Sequence, residues 1–284
     1  MKPDLELGGR VIVVAGAGGG GIGSATTLML ARAGAHVVAV DRSEAAFGAI
    51  RDELGAIGNP HRIEHVDLAV EGAASEVVAR SERDLGPVAG VVNVVGGFES
   101  MDQLAPLLDE GAERTFARLL DFNLGATLAM SIAAARSMQK GERPGSIVQI
   151  TSSTGIVSMP YGAGYAAAKA ALINLVKTMA VEWGPRGIRV NAVACGTIMS
   201  AEARRWAEGV EEAARDVVPL GRCGEPSEIA GAVLFLLSDL ASYVSGTVLS
   251  VDGAALARAP YNDRDNLPVF ITDAGLRSRL IGEA

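Results

Sequence analysis

Arg10-Val-Ile-Val-Val-Ala15, followed at once by Gly16-Ala-Gly-Gly-Gly-Gly-Ile-Gly23, is the stretch on which the fold turns. The β-branched apolar run predicts a buried strand. Residues 22–32 then predict a helix, stopped by Gly34. Glycines between a strand and a helix let the backbone approach a pyrophosphate, and the helix N-terminus adds amide donors and a favourable dipole. A glycine run alone also suits a plain flexible turn; its place between strand and helix favours a dinucleotide. Asp41 closes a second apolar run, 18 residues past Gly23. A carboxylate there can accept both adenine-ribose hydroxyls and repels a 2′-phosphate, which favours NAD over NADP. Arg42 can stack on adenine or meet a phosphate. Asp67-Leu68, at the end of a third strand, can read the adenine edge, although a capping Asp is an equally simple account.

Working outward, strands are expected over 36–40, 62–66, 88–94, 146–151, 188–193 and 247–251. Ser43 is expected to cap a helix running toward Leu54. Longer helices are expected over 112–138 and 162–183, and another opening at Pro226-Ser-Glu. Strand and helix alternate throughout, so the fold class is α/β: a Rossmann-type, doubly wound, parallel seven-stranded sheet with helices on both faces, in a single domain.

Of the 284 residues, 49% are hydrophobic, enough for a sizeable core. The net charge of −8, with no basic run, argues against a nucleic-acid partner. No stretch approaches the roughly 18 apolar residues of a membrane span. Cys195 and Cys223 form no disulfide framework, and the charged start Met1-Lys-Pro-Asp lacks a signal-peptide core. A cytoplasmic protein without a metal is expected.

Tyr165-Ala-Ala-Ala-Lys169 places a phenol and an amine on one helix face. An ammonium one turn away favours the phenolate and lowers the phenol pKa from about 10, giving a tunable proton donor and acceptor. Alone, so short a pattern also describes a half-buried Tyr beside a solvated Lys. Its company decides between them, and Ser152 lies thirteen positions upstream, at the end of the fifth strand.

Together these residues resemble the short-chain dehydrogenase/reductase family, in its branch of single-domain chains. The matching pieces are the glycine run, Asp67-Leu68, Asn93-Val-Val-Gly96, Asn123, Thr151-Ser152, Tyr165 with Lys169, and Arg189-Val-Asn191. Further on come Gly221-Arg-Cys-Gly-Glu-Pro226, Ser245-Gly246 and Val251-Asp252-Gly253. The resemblance covers 7–253 and implies a catalytic domain over 1–253; the extension over 254–284, with its apolar patch Val269-Phe-Ile, is expected to reach a neighbouring subunit or to close part of a pocket. It implies that Tyr165 is the acid/base, that Lys169 holds the nicotinamide ribose, and that Ser152 bonds the substrate oxygen. Asn123 would organise a proton-relay water. Gly16, Gly21, Ile22, Gly23, Asp41, Arg42, Asp67, Leu68, Asn93, Gly96, Thr151, Tyr165, Lys169, Thr197 and Ile198 would contact the cofactor. Phe98, Met159 and Tyr161 would join Ser152 around a partly apolar substrate.

Three departures stand out. The glycine run has one extra residue, so either the loop is longer or Gly16 shifts register. The usual Asn-Asn-Ala-Gly is Asn93-Val-Val-Gly96, and the usual Pro-Gly is Cys195-Gly196. Cys195 reads as a small packed hydrophobe or as a reactive thiol. The lid over 199–220 carries Arg204-Arg205-Trp206, and its arginines read as an anion site or as a solvated helix face.

The expected activity is an NAD-dependent alcohol dehydrogenase or ketone reductase acting on a small secondary alcohol or ketone. An NADP-dependent 3-oxoacyl-type reductase is the alternative. A non-catalytic dinucleotide-binding regulatory protein is the alternative of another class, disfavoured because Ser152, Tyr165 and Lys169 are all present. A homotetramer is expected ahead of a dimer.

Overall fold

The computed structural model describes residues 5, 7–200, 203–206 and 209–258. Seven parallel strands form one sheet in the order β3-β2-β1-β4-β5-β6-β7. They are β1 (Val11–Ala15), β2 (His36–Asp41), β3 (His61–His65), β4 (Val88–Asn93), β5 (Gly145–Ser152), β6 (Ile188–Cys195) and β7 (Val248–Val251). The helices are α1 (Ile22–Arg32), α2 (Gly48–Ile57), α3 (Ala73–Leu85), α4 (Ala112–Lys140), α5 (Ala163–Trp183), α6 (Ala203–Trp206), α7 (Val210–Val217) and α8 (Pro226–Leu237).

All five residues of β1 are buried, as expected for a strand covered on both faces. Alternation divides them. Val11, Val13 and Ala15 join Val77, Met130 and Val176, from α3, α4 and α5. Ile12 and Val14 join Leu30, Leu54 and Val233, from α1, α2 and α8. The two core layers follow from the period of two. Chain order reverses between β1 and β4, and the crevice at the strands' C-terminal ends lies there.

Buried polar groups brace the second half of the sheet. Arg189 Nη1 donates to the Leu236 carbonyl at 2.7 Å, at the C-terminus of α8. Asn191 Nδ2 donates to Val244 O at 2.8 Å, and its Oδ1 accepts from Thr247 N at 3.1 Å. The N-terminus of α8 carries a capping box between Glu225 and Glu228. Arg222 forks onto Glu228 and is the main reason that its carboxyl falls to about 2.

The expected strands and long helices are present, with ends shifted by one or two residues. Ser43 departs from expectation. It makes no side-chain cap, and a 3-10 turn, Glu44–Phe47, intervenes before α2. Phe47 is fully buried, so burial of this side chain accompanies a tight turn before the helix. Helix α3 was not anticipated. Its mixed face of Glu, Arg and Ser conceals Ala74, Val77 and Val78, the residues it buries. Of the extension over 254–284, residues 259–284 lie outside the described residues.

Candidate active site

A cavity of about 1160 Å³ opens at the crevice, running from the glycine loop past Asp41 to Ser152, Tyr165 and Lys169. At its floor, Gly16 and Ala17 amides both donate to the Val40 carbonyl, at 2.8 and 3.0 Å. Gly16 has φ +84°, and a Cβ there would lie 2.8 Å from Val95 N. A Cβ on Gly23 would lie 1.8 Å from Gly16 O. The start of α1 therefore rests directly on the end of β1. The sequence left open a longer loop or a shifted register; in the structure Gly16 stands opposite Gly23 across the loop 17–22. Gly19 and Gly20 lie in that loop at φ +81° and +68°. Gly19 N is tied to Ala46 O at 3.0 Å, and Gly20 N to Ser24 Oγ at 3.0 Å. The first-turn amides of α1, which have no intrahelical partner, are left at the cavity wall beside Gly21 and Ile22.

Asp41 Oδ2 accepts from Gly18 N at 3.0 Å, and Oδ1 from Ser43 N at 3.1 Å. Both bonds fix the carboxylate at the cavity edge and leave lone pairs for further donors. Asp67 Oδ1 accepts from Ala69 N at 2.9 Å, and Leu68 is buried beside it.

At the other end, Ser152 Oγ accepts from Thr154 N at 3.2 Å and from Thr154 Oγ1 at 2.9 Å. With both lone pairs used, its own hydrogen is left to donate forward, and in the protein alone Tyr165 takes that bond. Ser153 begins the following 3-10 turn and is absent from the cavity wall, so Ser152 is the serine in place. Thr151 Oγ1 donates back into the sheet, to Val193 O at 3.2 Å. The Tyr165 ring packs on Phe98 with centroids 4.7 Å apart. Lys169 is 3% exposed; its Nζ donates to Ile150 O at 3.1 Å and lies 5.5 Å from the Tyr165 ring centre.

The model of a protein family described as enoyl-(acyl carrier protein) reductase matches residues 16–254. The chain belongs to the short-chain dehydrogenase/reductase family. It is 40% identical over 249 residues to an uncharacterized short-chain type dehydrogenase/reductase of Sinorhizobium fredii. That match covers 86% of this chain but only 43% of the relative's length. A 3-oxoacyl-[acyl-carrier-protein] reductase of Thermotoga maritima is 36% identical over 251 residues, covering 88% of this chain and 98% of its own. A 7α-hydroxysteroid dehydrogenase solved with NADH and 7-oxo glycochenodeoxycholic acid superposes with TM-score 0.80 at 32% identity, covering 88% and 95% of the two chains. A structure from Agrobacterium tumefaciens with bound NADP gives TM-score 0.80 at 31% identity, covering 90% and 100%. Family membership makes the protein an oxidoreductase acting on CH–OH donors and a binder of nicotinamide dinucleotides. Among the described residues no helix is long and apolar enough to cross a membrane, and no cluster of three His, Cys, Asp or Glu could hold a metal.

Within this dehydrogenase/reductase frame several expected residues sit one layer back. Asn93 is fully buried and absent from the cavity wall. Its Nδ2 donates to Ser131 Oγ at 2.9 Å, tying β4 to α4, and Gln149 Nε2 donates to the same oxygen at 2.7 Å. Asn123 is also fully buried. Its Oδ1 accepts from Gly97 N at 2.7 Å, and its Nδ2 donates to Gly97 O at 3.0 Å and Leu119 O at 2.9 Å. It holds the Gly96–Gly97 turn against the ammonium: a Cβ on Gly96 would meet Asn123 Oδ1 at 2.4 Å and Lys169 Nζ at 3.1 Å. Ile198 lines the cavity, whereas Thr197 is exposed off it and pairs its carbonyl with Gly224 N at 2.9 Å.

Phe98 is on the wall as expected; Met159 and Tyr161 are not. Tyr161 is 61% exposed, at a left-handed φ of +67°, with its carbonyl bonded to Ala105 N. That backbone turn carries its ring outward. In the segment after β6, Arg204 pairs with Glu225 at 2.6 Å and Glu211 at 3.9 Å, consistent with a solvated face. The side chains of Arg205 and Trp206 lie outside the described residues. Ser200 reaches the cavity, and its Oγ accepts from Ala203 N.

The electrostatics differ from the sequence expectation. Burial raises the Tyr165 pKa, the Ser152 hydrogen bond opposes it, and Lys169 is not among the influences that shift it. Burial brings the Lys169 amine down to about 8, and its Nζ donates to the Ile150 carbonyl. Burial also pushes the Cys195 thiol to about 12, so it packs as a neutral hydrophobe and not as a nucleophile. Lys169 has a stability consequence. Its folded pKa of about 8 lies below the ordinary 10.5, so between these values the unfolded chain binds the extra proton. Stability therefore rises with pH through that window, and below it a buried ammonium costs about 3 kcal/mol. Lys169→Met should melt no lower than wild type at pH 7 and lose the rise toward pH 10. Calorimetry at both pH values checks this; a lower midpoint at each would contradict it.

Sequence reasoning missed Thr154, which orients Ser152, as well as Glu99 and Arg118 on the cavity wall. A hydroxyl two residues past the serine was the sole signal for Thr154. Glu99 and Arg118 are ordinary surface residues in the sequence.

Proposed function

We propose that the protein interconverts a small secondary alcohol and its ketone by hydride transfer with NAD(H). The observation that carries this is convergence: Ser152, Tyr165 and Lys169 line the same cavity as the glycine cradle and Asp41. The residues fit a nicotinamide dinucleotide, because the glycine loop, the first-turn amides of α1 and the Asp41 carboxylate line one cavity with Tyr165 and Lys169. The α1 amides with Gly21 and Ile22 would hold its pyrophosphate, Asp41 its adenine ribose, Asp67 and Leu68 its adenine, whereas Arg42, expected at the cofactor, is paired with Glu99. Gly96, Thr151, Lys169 and Ile198 would hold the nicotinamide half. When bound, the cofactor accepts or donates the hydride.

The chain's own groups handle the proton. Tyr165 Oη takes the alcohol proton in oxidation and returns it in reduction. Ser152 donates its hydrogen to the substrate oxygen, where charge grows as the C–H bond breaks or forms, so a fixed donor lowers the barrier. Asn123 acts through the Gly96–Gly97 turn, keeping a small residue beside Lys169. Phe98 presents a flat apolar face to the substrate and excludes water from the phenol.

The carboxylate at the end of β2 supports NAD, since it accepts hydroxyls and opposes a 2′-phosphate. The Thermotoga relative keeps a 3-oxoacyl reductase using NADP as the second reading. We further propose a cytoplasmic homotetramer, supported by the small-residue surface of α5 around Ala166, Ala167 and Ala170, with 1–253 as the catalytic domain. A screen of secondary alcohols and ketones, followed by NADH absorbance with NAD and NADP in parallel, tests the activity. Turnover of a small cyclic or aliphatic alcohol with NAD is expected, and no turnover on either class would sink the reading. Light scattering tests the assembly.

A further inference from the structure

Three charged side chains meet over the mouth of the cleft beside Asp41. Arg42 leaves the end of β2 with its guanidinium carbon 4.7 Å above the Phe122 ring, and its Nη1 donates to Glu99 Oε1 at 3.2 Å. Arg118 of α4 grips the other oxygen, Nε and Nη2 lying 2.8 and 2.7 Å from Glu99 Oε2. Glu99 is itself positioned: its amide donates to Oε1 of the buried Gln103 at 2.9 Å, and Gln103 Nε2 returns a bond at 3.4 Å. Burial would raise the Glu99 carboxyl pKa, but the two guanidiniums outweigh it and the group stays ionised. All four of Arg42, Glu99, Arg118 and Phe122 line the cavity.

Arg42 directly follows the carboxylate that would read the adenine ribose. A guanidinium at that position is a natural partner for a 2′-phosphate, which is doubly charged and suited to a forked donor. Here that cation is already committed to an anion and an aromatic face. Breaking a charge-assisted bond to free it, while Asp41 repels the incoming phosphate, disfavours the phosphorylated cofactor twice, by separate means.

We propose that Glu99 is a specificity-determining residue for the dinucleotide: it holds Arg42 on Phe122, away from the ribose edge faced by Asp41, and so selects against a 2′-phosphate. This rests on the dinucleotide reading given under the proposed function. NADH and NADPH affinities of the full-length protein, titrated by nicotinamide fluorescence, test it without knowledge of the substrate. Glu99→Gln keeps the side-chain shape and removes the charge. It should raise the NADPH-to-NADH affinity ratio about tenfold, the scale of one charge-assisted hydrogen bond. Adding Arg42→Ala should cancel the gain. Arg42→Ala alone should move the ratio less than about twofold, because the committed guanidinium is not serving either cofactor.

An unchanged ratio in Glu99→Gln overturns the proposal. So does a gain that survives in the double variant, which would mean simple removal of negative charge. If Glu99→Gln does not fold, Arg42→Ala still decides: a several-fold loss confined to NADPH shows that Arg42 already serves the phosphate, and the proposal fails. Binding of neither dinucleotide by the wild type would instead overturn the dinucleotide reading itself, and this inference with it.

Discussion

Tyr165→Phe is expected to lower turnover by about a thousandfold while NADH still binds, because general acid–base catalysis of this kind is worth about 10²–10⁴. Phe retains the ring that packs on Phe98 at 4.7 Å, so the wall of the cavity is preserved and only the hydroxyl is lost. Ser152 then donates to nothing on that side, and its acceptor bonds from Thr154 persist. The pH profile of the unmodified protein has a defined sign. Oxidation needs the phenolate and reduction needs the phenol, so oxidation rises and reduction falls as pH climbs through the same pKa. Burial raises that pKa, which puts the crossover on the alkaline side in the protein alone. Steady-state rates and an NADH titration on the same preparation check the expectation. Normal turnover by the Phe variant would remove Tyr165 from the chemistry altogether.

Gly23→Ala carries the largest expected structural effect. Its Cβ would fall 1.8 Å from Gly16 O and 3.0 Å from Ala17 Cα, both backbone atoms at the floor of the loop. Nothing flexible can yield, so α1 must move off β1 by more than an ångström. Overpacking of this kind costs about 1–3 kcal/mol, or a fall of about 2–12 °C in thermal midpoint for a domain of this size. The same movement withdraws the first-turn amides from the cleft, and NADH affinity should fall more than about tenfold. Gly21→Ala is the contrast: its Cβ would meet only Ser200 Cβ, at 3.6 Å, an ordinary contact. Its thermal midpoint should stay within about 2 °C of wild type. Equal melting of both alanine variants would contradict the close helix-on-strand approach.

The nucleotide end was legible because its requirements are local. A strand, a run of glycines and a helix are adjacent in sequence, and Asp41 follows at the end of the next strand. The Tyr165 and Lys169 pair was equally legible, since helix geometry alone puts them on one face. Their electrostatic relation was not. It depends on how deeply the fold buries the two groups, and burial moves the phenol up and the amine down. Asn93 and Tyr161 show the same limit. Strand alternation could not say which face of β4 meets α4, and no local rule turned Tyr161 outward at φ +67°.

The order of strands and helices, the glycine cradle, the carboxylate at the end of β2 and the Tyr165 and Lys169 pair were written in the chain. Each depends on spacing within one element or between neighbours, where backbone geometry leaves few alternatives. Tertiary structure alone decided the placing of Gly16 opposite Gly23, the position of Asn123 behind a turn, and the bridge from Arg42 through Glu99 to Arg118. Arg42 and Glu99 are 57 positions apart and lie in the segments that follow separate strands, β2 and β4. Only the sheet, by placing β2 and β4 on either side of β1, brings the ends of those strands to one cleft.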